Sequence, residues 1–240
     1  AVLPTDQDLA VSGDWLNAGT QTLTAGTVTF DGTGTQLVTS NSPGNPFFNL
    51  SVSSAGGTIA QPQDDLVISG NLFVDTGDTL ESLNRNVTVA GNTDIDGTLD
   101  IDGMLAGTAL SLGGNLDLLT GTVSKPVSGA GRTVFTGGTT KSLLADGDDI
   151  GDLELAATAS NVVQLTDGSL SADQILVGAG AELVINPAGA AAALTLNAGR
   201  TLTNNGTVSM NATGAFTADL VVGVGSTIDN NAAFRMDASG

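Results

Sequence analysis

The sequence predicts an all-β protein folded as a parallel β-solenoid (β-helix) of about ten short coils. Three observations indicate this fold. Short segments with alternating apolar and polar residues are separated by Gly, Asn, Asp and Thr, and no segment of helix length lies between them. Gly-Asn steps recur at 70–71, 91–92 and 114–115, at spacings of 21 and 23 residues that match one solenoid coil. Aromatic residues make up only 3% of the chain, which suits a slender aliphatic core.

The strands follow a period of two along the chain, and each ends at turn residues. In order, the predicted strands are TVTF (27–30), LSV (50–52), DLVI (65–68), NLFV (71–74), NVTVAG (86–91), LSL (110–112), NLDLL (115–119), QILV (174–177), ELVI (182–185), LTL (194–196), TVSM (207–210) and DLVV (219–222). The segment PAGAAAALTL (187–196) is interpreted as a strand of small residues, because Gly189 and Thr195 interrupt a helical face.

Stacking explains why these short strands form one fold. A single coil cannot bury its inward side chains, whereas stacked coils share a continuous core. Gly and Asn at the corners accept the bent backbone that each turn requires. At about 22 residues per coil and about 4.8 Å between strands, we expect a single elongated rod about 50 Å long over residues 1–240. The alternative is a β-sandwich with tandem duplication, since Asp31-Gly32 and Asn205-Gly206 suit hairpin turns.

A longer repeat is superimposed on the coils. Placing Leu50 on Leu153, an offset of 103 residues, gives an alignment without gaps as far as Leu80 and Leu183, with matching apolar positions. The chain is therefore predicted to contain two tandem repeats, at about 1–103 and 104–206, followed by a C-terminal coil segment.

The composition excludes several kinds of chemistry. Without His or Cys there is no Ser-His-Asp or Cys-His nucleophile, no imidazole or thiolate zinc site and no disulfide. No cofactor is required, and a bound metal has to be a hard cation such as Ca²⁺ with oxygen ligands. The net charge of −19 disfavours nucleic acids and anionic membranes. No apolar run is long enough for membrane insertion, and AVLPTDQD (1–8) lacks signal-peptide features, so we expect a mature form.

The acidic segment TDIDGTLDIDGML (93–105) has the alternation of one long strand. Ile95, Leu99, Ile101 and Leu105 are expected to face inward, and the aspartates between them to face solvent. An EF-hand is rejected because Leu105 stands where the bidentate Glu is required. A solvated acidic face is the preferred interpretation, and Ca²⁺ bridging between coils is the alternative.

The segment ADGDDIGD (145–152) is the better calcium candidate. It is expected to form a loop in which Asp146, Asp148, Asp149 and Asp152 can surround one Ca²⁺ ion. An ordinary turn-rich loop is the competing interpretation.

Three aromatic residues form a candidate contact surface. Trp15 is rare in so small-residue a chain, and it either fills the first coil or serves as a binding residue. Phe47 and Phe48 are adjacent and point to opposite faces of an extended segment, so one of them is expected to be exposed or covered by SNSPGNP (40–46).

The segments SGDWLNAGTQTLTAGTVTFDGTGTQLV, FFNLSV and DLVISGNLFVDTGDTL, within residues 12–80, resemble repeats of large secreted bacterial β-solenoid surface proteins, including autotransporter passenger domains and repetitive adhesins. This resemblance implies an extracellular or cell-surface location and a role as stalk, adhesin or filament component. The chain departs from complete members of such families because it shows no recognisable translocating barrel, sorting signal or anchor.

Three functions follow as hypotheses. The first is a non-enzymatic structural protein, a subunit or segment of a surface filament, stalk or layer that self-associates by end-to-end strand stacking. The second is an adhesin module that binds a glycan or a host or surface protein. The third is a secreted carbohydrate-active enzyme, which is disfavoured because one Trp and seven Phe offer little for sugar stacking and only six residues are Lys or Arg.

Overall fold

The computed structural model describes residues 7–41, 44–105, 107–125, 131–188, 190–213 and 216–239. These residues form β-strands and turns without a helix, so the predicted all-β class is confirmed. No helix in this part of the chain is long and apolar enough to cross a membrane.

The strands are short and follow one another closely along the chain. In chain order they are β1 (Leu9–Val11), β2 (Trp15–Leu16), β3 (Thr27–Phe30), β4 (Gly34–Thr39), β5 (Asn49–Val52), β6 (Thr58–Pro62), β7 (Leu66–Ile68), β8 (Leu72–Val74), β9 (Thr79–Glu81), β10 (Val87–Val89), β11 (Thr93–Ile95), β12 (Thr98–Asp100), β13 (Leu110–Leu112), β14 (Leu116–Leu118), β15 (Thr122–Ser124), β16 (Arg132–Phe135), β17 (Thr140–Asp149), β18 (Asp152–Leu155), β19 (Val162–Ala172), β20 (Ile175–Val177), β21 (Glu182–Ile185), β22 (Ala192–Leu196), β23 (Thr201–Asn204), β24 (Thr207–Thr213), β25 (Ala218–Val222), β26 (Thr227–Asn230) and β27 (Ala233–Ser239).

The strands stack into a parallel β-solenoid of about 9 turns, close to the number that the length predicts. The first face is a sheet ordered β1-β3-β5-β8-β11-β14-β17-β19-β21-β24-β27. The second face begins as a sheet ordered β2-β4-β6-β9-β12-β15, and the third is ordered β7-β10-β13-β16-β18-β20-β23-β26. All strand pairs in the described residues are parallel, so the β-sandwich alternative is wrong.

One continuous apolar core fills the interior. Inward residues of successive coils lie in register, as in the column of Val28, Leu50 and Leu72 on the first face, where each side chain is buried. The alternation of buried and partly buried residues within each strand is the period-two pattern of the sequence. The core is therefore built by stacking equal positions, as the composition predicts.

An asparagine ladder closes the corner between the third and first faces. The Oδ1 atom of Asn49 accepts the backbone N–H of Asn71 at 2.8 Å, and Asn71 and Asn92 accept from the next Asn at 2.8 and 3.0 Å. Asn115 ends the ladder by accepting from Ser142 N–H at 2.9 Å. The Gly-Asn steps of the sequence are thus corner residues that satisfy one coil's backbone with the preceding coil's side chain.

Several aspartates have the same task, Asp8 in the column of the asparagine ladder and others at the remaining corners. Asp8, Asp14 and Asp65 each accept a backbone N–H from the following coil. Asp78 is fully buried and accepts from the backbone and hydroxyl groups of Ser54 and from Thr58 N–H. Part of the large acidic content therefore serves hydrogen bonding between coils.

Residues that are 103 positions apart in the sequence do not lie on the same face of the solenoid. Leu50 lies in β5 on the first face and Leu153 in β18 on the third, while Leu80 lies in β9 on the second face and Leu183 in β21 on the first. The offset therefore corresponds to about four and two-thirds coils of about 22 residues. The two tandem repeats stay a prediction.

Two acidic segments differ from expectation. The segment 93–105 contains two strands, β11 and β12, separated by a turn at Gly97, and Leu105 is 57% exposed instead of inward. Residues 145–149 do not form a loop but the end of the long strand β17, because β19 pairs with them along their length. Register shifts between Leu143 and Leu144 and between Asp146 and Asp148 let β17 bend from the first face to the second.

Candidate functional site

The four predicted calcium ligands do not converge on one point. Asp146 is exposed on β17, and Asp148 accepts Val123 N–H at 2.9 Å. Asp149 ends β17, and Asp152 begins β18. No group of three or more His, Cys, Asp or Glu side chains able to hold a metal ion occurs in the described ranges. The calcium site stays a prediction for these aspartates.

The side chain of Lys125 supplies the positive charge that lies beside Asp149. Lys125 Nζ lies 2.8 Å from Asp149 Oδ2 and 2.9 Å from Asp173 Oδ2. Asn197 donates Nδ2 to Asp149 Oδ2 at 2.8 Å and to Asp173 Oδ1 at 3.1 Å. Arg200 Nε lies 3.5 Å from Asp173 Oδ1. We call these five residues the clasp; they come from four successive coils at the corner between the second and third faces.

The electrostatics of the clasp are those of a formed ion-pair network. Burial alone would lower the pKa of Lys125, but its hydrogen bonds to Asp149 and Asp173 outweigh burial and raise the pKa above its usual value. Burial acts to raise the pKa of Asp173, but hydrogen bonds from Lys125 and Asn197 and the charge of Arg200 hold it below its usual range. The side chain of Asp173 is only 5% exposed, so it is the buried centre of the network.

Asp152 lies beside the clasp without joining it. Burial, followed by the charge of Asp173, raises the pKa of Asp152, and Arg200 and Lys125 offset this only in part. Its Oδ1 atom is buried and has no hydrogen-bond partner in the described residues, as is also true of Asp148 Oδ2. The sequence pattern identified Asp149 and the neighbouring Asp152, but Lys125, Asp173, Asn197 and Arg200 lie too far along the chain to be recognised from spacing.

A second charged group that the sequence did not predict is Lys141. Its side chain is fully buried, and Nζ donates to Thr139 O and Asn161 Oδ1, each at 3.0 Å. Asn161 in turn donates to Phe135 O and Ala156 O. Burial lowers the pKa of Lys141. The residue fixes a corner of the backbone by hydrogen bonds, as the Asn ladder does in the N-terminal coils.

The three aromatic candidates lie at the N-terminal end of the core. Phe47 is fully buried, with its ring centroid 5.4 Å from that of Trp15 and 6.3 Å from that of Phe30. Trp15 and Phe48 are partly buried and pack against the core. The interpretation of Phe47 as a contact residue is therefore wrong, because its ring fills the first coils. Residues 42 and 43 of the expected covering segment lie outside the described residues.

A surface groove runs along the corner between the third and first faces in the C-terminal coils. Its volume is about 590 Å³. It is lined mainly by small and polar residues, among them Thr140, Ser160, Glu182, Asn205 and Thr207. The groove offers hydroxyl, amide and carboxylate groups from successive coils to one extended polar ligand.

The C-terminal coil exposes residues that continue buried columns. Leu196 pairs with Val222 and Leu202 with Ile228; the leucines are fully buried, whereas Val222 is 42% and Ile228 40% exposed. Met236 continues the position of Met210 and is 75% exposed. Within the described residues, the last coil therefore presents an apolar surface bordered by β25, β26 and β27, the outermost strands of their sheets.

No protein-family model matches the sequence, and neither a curated protein nor a solved structure shows significant similarity to it.

Proposed function

We propose that this chain is a non-enzymatic structural protein, a subunit or segment of an extracellular filament, stalk or surface layer whose solenoids stack end to end. The observation that carries the proposal is the apolar end surface formed by Val222, Ile228 and Met236. These side chains occupy inward positions, and one further coil in the same register would bury them.

A second copy can supply that coil. The edges of β1 and β2 at the N-terminal end and those of β25, β26 and β27 at the C-terminal end belong to parallel strands that run in one direction around the same rod. Placing β1 of one copy beside β27 of another continues the first face by strand addition. Because the two ends differ, the contact is heterologous and extends into a filament when it does not close. The resemblance to repetitive bacterial surface proteins supports an extracellular location for such a rod.

Electron microscopy of the purified chain tests this proposal. We expect filaments whose uniform width equals that of one solenoid and whose length rises with protein concentration. The variant Ile228→Asp places a charge in the end surface and should give single rods. The matched control Leu105→Asp changes an exposed leucine on the side of the rod and should leave the filaments intact. Single rods from the unchanged chain at high concentration would contradict the proposal.

The groove favours one second candidate function, that of an adhesin module for a neutral glycan. Its lining contains hydroxyl and amide groups but few charged side chains and no aromatic ring. A glycan array is the appropriate test, with Thr140→Trp as the variant that fills the groove. Binding that this variant abolishes would support an adhesin, and an array without binding would remove the candidate.

A further inference from the structure

The second face of the solenoid is interrupted at one level. Its six-stranded sheet ends at β15, which pairs with β12 below it but with no strand above it in the described residues. From the next coil onward, this face is formed by the second halves of β17 and β19 and by β22 and β25. The first and third faces continue through the same level, since β14 pairs with β17 and β13 with β16.

Side chains replace the missing backbone ladder. Asp148 Oδ1 accepts the N–H of Val123, a residue of β15. Two residues on, Lys125 reaches Asp149 of the next coil and Asp173 of the coil after it. Asn197 and Arg200 extend the network to a further coil. The network therefore begins at the level where the ladder stops.

The charge arrangement makes Lys125 the essential member of the clasp. It lies between two carboxylates, with Asp152 as a third acidic group nearby. The side chains of Lys125 and Asp173 are 13% and 5% exposed, so water and salt cannot replace the lost charge efficiently. Removing one partner of a buried pair leaves the other charge uncompensated, which is more destabilising than losing the attraction itself.

We propose that the clasp is a built-in joint: it holds the interrupted second face together, and this face opens locally when the positive charge of Lys125 is removed. The opening is confined to β15, because the backbone ladders on the other two faces and the ladder between the second half of β17 and β19 remain. This inference concerns cohesion within one chain and does not depend on whether copies assemble.

Hydrogen exchange of the full chain, measured by mass spectrometry, tests whether the clasp holds the second face together. In Lys125→Met we expect exchange of residues 122–125 to accelerate at least about tenfold, while β14 and residues 143–149, which keep their ladders, change little. The matched control is Arg132→Met. It removes a more exposed ion pair to Glu154 between β16 and β18, whose ladder is intact, and should alter exchange by less than about threefold.

Equal acceleration on the first and second faces in Lys125→Met, or no acceleration at either, would overturn the proposal. If Lys125→Met does not fold, the double variant Lys125→Met/Asp173→Asn provides a second test. It removes the buried negative charge that the first change leaves with Arg200, 3.5 Å away, as its cationic partner, and it should recover the folded state. A double variant that is no more stable than Lys125→Met would also overturn the proposal.

Discussion

Replacing Gly91 with alanine tests the corner stacking most sharply. A Cβ atom at this position would lie 2.4 Å from Asn71 Oδ1 and 2.6 Å from Gly70 O, closer than real Cβ contacts allow. The Asn71 side chain would have to move and would lose its 2.8 Å hydrogen bond to Asn92 N–H. The backbone of Gly70, which accepts Gly91 N–H at 2.8 Å, would also have to shift.

These effects can be given magnitudes. Overpacking costs about 1–3 kcal/mol, and the lost hydrogen bond costs about 1 kcal/mol. Alanine also lowers the conformational entropy of the unfolded chain, which raises the unfolding free energy by about 0.4–1 kcal/mol. The net loss of unfolding free energy is about 2 kcal/mol, which lowers the melting temperature by about 4–8 °C in a chain of this size.

Thermal unfolding followed by circular dichroism measures the effect. The matched control is Gly13→Ala, since a Cβ atom there has no neighbour within 4 Å and the backbone conformation carries no restriction on side chains. Gly13→Ala should leave the melting temperature unchanged or slightly higher. Equal effects of the two substitutions on the melting temperature would refute the reasoning, because of these two glycines Gly91 alone is packed against the preceding coil.

Three further predictions concern the core, the acidic first face and calcium. Phe47→Ala should lower the unfolding free energy by about 3–5 kcal/mol and shift the fluorescence of Trp15, the only tryptophan, to longer wavelength. Phe48→Ala should lower the unfolding free energy clearly less, because Phe48 is only half-buried. Equal losses of unfolding free energy would contradict the assigned burial. Burial, followed by the charges of Asp96, Asp117 and Asp75, raises the pKa of Asp94, so its ionised form destabilises the native state above that pKa and the cost disappears as pH falls below the usual aspartate range. Asp94→Asn should therefore raise the melting temperature at pH 7 and have no effect near about pH 3, and a lower melting temperature at pH 7 would contradict this sign. Because Lys125 already neutralises Asp149, we expect equal melting temperatures in EDTA and in millimolar Ca²⁺, and a calcium-dependent rise that Asp149→Asn abolishes would instead favour the calcium site.

Much of the solenoid could be predicted because its local and long-range patterns agree. The predicted strands at 27–30 and 110–112 coincide with β3 and β13, and the alanine-rich segment contains β22 as a strand. The Gly-Asn steps had a recognisable spacing because they repeat once per coil and hydrogen-bond to one another. In a solenoid, residues at the same position of successive coils are in contact. The period of the sequence therefore predicts directly which residues are neighbours.

The acidic site was harder to predict for a physical reason. Asp and Gly are unfavourable in strands, which suggested a loop at 145–152, but pairing with β19 overrides this preference. The partners of Asp149 are Lys125 and Asn197, which are brought to it by the stacking of coils and not by a local motif. Leu105 was expected inward because alternation was extended across the turn at Asp102 and Gly103, after which Met104 is buried and Leu105 is exposed.

Disulfide trapping tests end-to-end stacking most directly, because the chain contains no cysteine of its own. Ala10 in β1 and Asp237 in β27 both occupy outward positions of the first face and are exposed. If Leu9 of one copy continues the inward column of Ile185, Met210 and Met236 of another, Ala10 lies beside Asp237, and their Cα atoms come within the range of about 4.4–6.8 Å that a disulfide spans. The variant Ala10→Cys/Asp237→Cys should then give a ladder of covalent multimers after mild oxidation, while either single variant gives none beyond dimers. Monomers alone from the double variant, under conditions in which its thiols oxidise freely with a small disulfide, would contradict the stacked filament.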